Sequence, residues 1–277
     1  MTILRDTRPG PEVDFRPRQM RFELSDALAT DWHGGSAFRT AWFNAMSMLF
    51  PLGEKFFIDS VRAYSDRIDE ERLQAEVRAF QGQESIHRRE HQRYNEALCE
   101  ARDYDLEEFE GPVRRRIAWA KGHFNPRRLL AGTVANEHLT AIMAHDLLSH
   151  DDALAGADPA IAELWRWHAV EETEHKAVAF DVHRLVGGTT RERRHALVMS
   201  SFFFLKDTLR IARSMLKQDG QLWRWRTWWD GFQFLVGRPG TLRRIVPAWF
   251  TFLRSDFHPW QHDNRALIER YELARKG

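Results

Sequence analysis

Four stretches of the 277-residue chain place a glutamate on a helical face that is otherwise apolar. Glu54 is followed by Phe57, Ile58 and Val61 at i+3, i+4 and i+7, and Glu84 has Phe80 and Val77 one and two turns behind it. Glu137 lies among Leu130, Val134, Ala141 and Ala144, and Glu172 follows Trp165 and His168 on its own face. Apolar residues at these intervals predict amphipathic helices whose apolar stripe turns inward. A carboxylate on such a stripe is costly unless it is paired or bound to metal. Four of them on four separate helices constrain the fold to helices that face one another.

Glu84 and Glu172 are each followed three residues later by a histidine, His87 and His175. Positions i and i+3 lie about 60° apart round a helix, so both side chains of each pair can reach one ion. The spacing alone is weak: 21 Glu and 13 His in 277 residues give about 21 × 13 / 277 ≈ 1 such pair by chance, and three occur. The third, Glu192 and His195, sits in the basic run RERRH and reads as a solvated face. The other two sit on inward stripes.

The punctuation between these residues is helical throughout. A helix is predicted over about 37–68 with a break or kink at Pro51, then others over about 70–100 and 106–122. Asn125-Pro126 and Asp158-Pro159 read as N-caps followed by proline in the first turn, opening helices to about 149 and 186. Gly187-Gly188 stops the second of these, and a further helix over about 190–217 precedes shorter pieces. No segment alternates with period two between hairpin turns, so the chain is all-α. Three regions follow: an N-terminal arm over 1–35, its first 20 residues mobile, a metal-binding bundle over 36–196, and a C-terminal extension over 197–277 packed on the bundle.

One glutamate from each of two helices and Glu-x-x-His from each of two others is the ligand set of ferritin-like di-iron and di-manganese carboxylate bundles. The order Glu54, Glu84-x-x-His87, Glu137, Glu172-x-x-His175 reproduces it. The expected fold is therefore a ferritin-like four-helix bundle with a dinuclear metal centre plus additional C-terminal helices. Oxygen and imidazole donors without thiolate suit iron or manganese, with zinc compatible, and four carboxylates offset the charge of two divalent ions. His168, four residues before Glu172, is a seventh candidate on the same face. His91, four after His87, reads as lying behind the ligands or at the surface. Glu171 and Glu174 read as solvated, although Glu171, four before His175, replaces Glu172 if the register differs.

The segments FPLGEKFFIDSVR, QESIH, NEH, EETEH and the late FHPW resemble a bacterial family labelled predicted metal-dependent hydrolase, placed among ferritin-like proteins, over about residues 36–262. The order His-x-x-x-Glu-x-x-His on the last ligand helix is also similar to the p-aminobenzoate N-oxygenase type of di-iron oxygenase. That second resemblance implies Glu54, Glu84, His87, Glu137, His168, Glu172 and His175 as metal ligands.

Composition narrows the function classes. Forty-one basic against forty acidic residues leave a formal charge of +1, too little to recruit nucleic acid. The balance is a cancellation: residues 1–196 carry 27 basic and 33 acidic side chains (−6), and residues 197–277 carry 14 and 7 (+7). Cys99, the single cysteine, excludes a disulfide framework and points to a reducing, cytoplasmic compartment. The N-terminal 20 residues are Arg- and Pro-rich without the apolar run of a signal peptide. Six of eleven tryptophans fall between Trp223 and Trp260, interleaved with arginine. This extension reads as a helical cover, as the wall of a substrate channel, or as a peripheral contact with the inner face of the membrane.

The leading expectation is a dinuclear, iron-dependent oxygenase or oxidase acting on a hydrophobic small molecule. Metal-dependent hydrolysis by a metal-bridging water is the alternative, and a non-catalytic metal-binding or membrane-surface protein the third. No Ser-His-Asp set or Gly-x-Ser-x-Gly elbow supports a serine mechanism. Assembly as a homodimer is left open by the sequence.

Overall fold

A computed structural model describes residues 15–24 and 26–276. Among them are ten α-helices and no β-strand: α1 (Ala37–Arg62), α2 (Glu71–Arg102), α3 (Leu106–His123), α4 (Pro126–Ser149), α5 (Pro159–His175), α6 (Val178–Leu185), α7 (Thr190–Gln218), α8 (Trp225–Leu235), α9 (Thr241–Thr251) and α10 (Arg265–Lys276). The chain is all-α, as its periodicity requires. Of the N-terminal arm, residues 1–14 lie outside the described residues; Phe15, Phe22 and Leu24 are buried against the helices.

Local chemistry sets the boundaries. Ser36, Asn125 and Asp158 each accept a backbone N–H in the first turn of α1, α4 and α5, and Pro126 and Pro159 occupy first-turn positions whose amide has no helical partner. Thr189 and Glu192 form a reciprocal capping box on α7. Gly187, at φ +76, supplies the left-handed turn between α6 and α7.

Two expectations are corrected. Pro51 does not break α1, which runs through it and ends at Arg62 rather than 68. Proline removes the amide that would bond the carbonyl of Ser47, four residues back, and Asn95 of α2 replaces it: its Nδ2 donates to Ser47 O at 3.0 Å. The helix predicted over 159–186 is two helices, interrupted at Lys176-Ala177. There the buried Lys176 ammonium donates to His262 O and Asn264 Oδ1, both at 2.6 Å, and lies 4.0 Å from the Trp260 ring centre.

Helices α1, α2, α4 and α5 pack in contact, with α7 laid against both α1 and α4. Helix α8 packs on α1, α9 on α4 and α10 on α5. One apolar cluster gathers Trp42, Phe43, Leu164, Trp165 and Trp167, and a second gathers Phe57, Phe80, Leu130 and Phe252. On α1, Glu54 falls between Leu49 of the first cluster and Phe57 of the second; on α2, Glu84 falls between Ile86 and Phe80. The Glu54 and Glu84 carboxylates therefore occur where one apolar cluster gives way to the other.

His33 ties the loop before α1 to the loop before α5, donating from Nε2 to Ala153 O at 2.9 Å within rings of Phe43 and Phe234. Burial lowers its pKa to about 4. A histidine kept neutral in the folded state favours folding fully above pH 6.5, and that contribution is lost as the pH falls toward 4, because the unfolded chain takes the proton first. Its size is at most about 3 kcal/mol. In denaturant titrations, wild-type stability should fall more steeply between pH 7 and 4 than that of His33→Gln, by up to that amount.

Candidate metal centre

Helix geometry brings all seven candidates to one place. Glu54 comes from α1, Glu84 and His87 from α2, Glu137 from α4, and His168, Glu172 and His175 from α5. Every one of them is buried. Donor atoms lie within 4.8 Å of one another in three groups: Glu54 with His87 and His168, Glu84 with Glu137 and His175, and Glu84 with His87 and Glu172. The first two groups share no residue. Glu172 stands between them, its Oε1 at 3.0 Å from His168 Nε2, 3.6 Å from His87 Nδ1 and 3.6 Å from His175 Nε2.

The donor atoms have few partners of their own. Both carboxylate oxygens of Glu54, Glu84 and Glu137 make no hydrogen bond, nor do Glu172 Oε2, His87 Nδ1 and His175 Nε2. Each unsatisfied buried polar atom costs roughly 1–3 kcal/mol, so the concentration of nine at one point is unaffordable without a further partner. Divalent cations fit: the donors are hard oxygens and imidazole nitrogens, and the atoms lacking hydrogen bonds are the ones that converge.

Each imidazole is held from behind. Gln83 Oε1 lies 3.0 Å from His175 Nδ1, and Gln83 Nε2 donates to Glu174 Oε2 at 2.7 Å. The amide is thus fixed with its oxygen toward the ring, so Nδ1 carries the proton and His175 Nε2 faces the centre. Glu171 Oε2 accepts from His87 Nε2 at 3.0 Å, which turns Nδ1 inward. His168 is oriented by a longer chain. Asn95, held by Ser47 O, accepts the Ser47 hydroxyl at 2.7 Å; Ser47 Oγ receives His91 Nδ1–H at 2.9 Å, and His91 Nε2 receives His168 Nδ1–H at 2.6 Å. The last bare nitrogen, His168 Nε2, points at Glu172. Partners of this kind fix tautomer and ring orientation at metal sites.

Glu171 and Glu174 are therefore not solvated. Both are buried, and Arg18 of the segment before α1 bridges them: its Nη1 is 3.1 Å from Glu171 Oε1 and its Nη2 is 2.5 Å from Glu174 Oε1. Arg18 also reaches Glu272 of α10 at 2.8 Å. His91 is wholly buried, behind His168.

Charges inside the cluster answer one another. Burial, with Glu84, pushes the Glu54 carboxyl well above the usual range, and burial with Glu172 does the same to Glu137. Burial also acts on Glu172, but His175, His168 and His87 outweigh it and hold that carboxylate well below its ordinary value. His87 is raised to about 10, Glu171 and Glu172 overcoming the effect of burial. Burial lowers His168 to about 4, and it lowers His91 well below its ordinary value, which keeps both neutral and suits a relay in which each passes one proton-bearing nitrogen backward.

A cavity of about 810 Å³ reaches the centre at Glu54, His168 and Glu172. Its wall is mainly apolar, with Phe50, Phe57, Ile117, Leu139 and Phe204 contributed by α1, α3, α4 and α7. The polar exceptions include an Arg116–Asp207 ion pair at 2.6 Å.

Residues 16–263 match the family model described as predicted metal-dependent hydrolase. The chain belongs to that family. The match spans all seven candidate residues and the segment carrying Arg18. No curated protein and no solved structure matches the chain. Within the family description, the buried Glu and His groups fit a metal-binding protein.

Arg18, Gln83, Ser47 and Asn95 are the site residues that spacing does not reveal. Gln83 immediately precedes Glu84 and Asn95 follows His91 by one turn, but nothing in their types distinguishes them from surface amides. If Gln83 orients His175, Gln83→Leu should weaken metal affinity roughly 10- to 100-fold, while Gln83→Glu, which keeps an acceptor, loses less. Chelator competition on both variants, with circular dichroism to check folding, reads this directly.

Proposed function

We propose that the protein is a dinuclear metal-carboxylate enzyme that activates O₂ to oxidise a hydrophobic small molecule. The observation that carries this reading is the apolar cavity ending on Glu54, His168 and Glu172. Glu54, His87 and His168 would hold one ion, Glu84, Glu137 and His175 the other, with Glu172 between them. Two divalent ions bound there, iron foremost, would supply redox chemistry toward O₂.

The chain's own residues do the rest. Glu171, Gln83 and the Ser47–His91 relay keep one nitrogen of each of three imidazoles turned inward, so the rings need little rearrangement when ions replace protons. Phe50, whose ring centre lies 4.9 Å from that of His168, and the other apolar lining residues Phe57 and Leu139 would disfavour water in the cavity and favour an apolar substrate. Arg18 offsets part of the negative charge of Glu171 and Glu174 and holds both carboxylates in place behind the histidines.

The family description favours a second reading, hydrolysis of an ester or amide by a metal-bridging water. The two part cleanly under anoxia. Protein loaded anaerobically with Fe(II) and then exposed to air should consume O₂ and pass through a transient visible absorption. Glu84→Ala and His175→Ala should abolish both, together with metal content measured by elemental analysis. Ester or amide turnover under strict anoxia with Mn(II) or Zn(II), with no O₂ uptake by the iron form, would establish the hydrolytic reading instead.

A further inference from the structure

Helix α7 has two faces with different tasks. Inward, Phe203 and Phe204 line the cavity and Ile211, Met215 and Leu216 are buried in the core. Outward, Val198, Phe202, Leu205 and Leu209 recur at intervals of four, three and four residues, which places them on one stripe. That stripe is open to solvent: Phe202 is 57% and Val198 52% exposed. Contiguous exposed apolar residues on one helix face mark an interaction surface rather than ordinary surface scatter.

The charges of α7 have one sign where they meet solvent. Arg191, Arg194, Lys206, Arg213 and Lys217 are exposed and lie beside or at the ends of the apolar stripe. Its two acidic residues are engaged inward: Glu192 caps the helix and pairs with Arg127 at 2.9 Å, and Asp207 is buried against Arg116. Helix α9 is tied alongside through Trp249 Nε1, which donates to Ser201 Oγ at 2.8 Å, and it exposes Val246 and Phe250.

The cavity opens at the same place. Met199 of α7 and Trp119 of α3 both line it, yet both are exposed, Trp119 by 54%. An apolar stripe flanked by cations, beside the mouth of an apolar cavity, matches the surface of an anionic bilayer: side chains enter the acyl boundary while arginine and lysine meet the headgroups. A second copy of the chain fits poorly, because a twofold contact would set one row of cations against the same row. No helix among the described residues is long and apolar enough to cross a membrane, so contact would be with the surface.

We propose that the outward face of α7, with Trp119, seats the protein on an anionic lipid surface and opens the cavity toward the lipid, so that an apolar substrate enters from the bilayer. The part concerning entry rests on reading the cavity as the substrate's.

The test is flotation of the full metal-loaded chain with vesicles of phosphatidylcholine and phosphatidylglycerol, against vesicles of phosphatidylcholine alone. Association should be at least tenfold stronger with the anionic vesicles at low salt, and should fall as salt screens the headgroups. Phe202→Glu combined with Leu205→Glu should reduce it at least tenfold, while Phe202→Leu retains it; equal melting temperatures show that the exposed substitutions leave folding intact. Absence of vesicle binding, or binding that the Glu variants leave unchanged, overturns the proposal. So does light scattering that shows a dimer which the Glu variants dissociate. O₂ uptake is measured on the same samples: uptake without vesicle binding refutes docking alone, whereas binding without uptake sustains docking and refutes the oxygenase reading.

Discussion

Four buried carboxylates converging on one space repel each other, and the organisation of the helices follows from what is needed to tolerate that repulsion. Three imidazoles are interleaved with them, and the donor atoms without hydrogen bonds are the ones at the point of convergence. Left alone, the cluster holds protons: Glu54 and Glu137 are pushed up by burial and neighbouring charge, and His87 is raised to about 10 against its own burial. Cations that enter would take the place of those protons. Apolar clusters on either side of Glu54 and Glu84 hold the helices that carry them in place.

The outer partners differ in how they do similar work. Behind His175 is a neutral amide, behind His87 a carboxylate compensated by arginine, and behind His168 a neutral relay of histidine, serine and asparagine. The last begins at a proline. Pro51 frees the Ser47 carbonyl, the freed carbonyl fixes Asn95, and Asn95 fixes the direction of every proton down to His168. A residue that ordinarily disrupts a helix here sets the tautomer of a histidine on another one.

The inner residues were legible in the sequence because helical spacing carries the information: Glu84 and His87 must share a face, and Phe80 and Val77 show that it turns inward. Capping chemistry likewise located the starts of α4 and α5. What was not legible depends on contacts between distant residues. Glu171 and Glu174 look solvated from spacing alone, but Arg18, more than 150 residues earlier, bridges them, and His87 and Gln83 of α2 pair with them. The interruption after His175 is equally silent, since Lys176 finds its acceptors in the segment before α10. Continuity of α1 through Pro51 depends on an asparagine from α2. Pattern gives the face a residue lies on, and long-range pairing decides what it meets there.

The Arg18 guanidinium joins parts of the chain that are farthest apart in sequence. It touches two glutamates of α5 and one of α10, two hydrogen bonds from His87 through Glu171 and three from His175 through Glu174 and Gln83. Anything that displaces the segment around Arg18, or pulls α10 away from α5, is transmitted as a change in the orientation of two imidazoles. The outermost described segments thus act as a clasp, and the placement of the buried donor atoms inside depends on whether it is fastened.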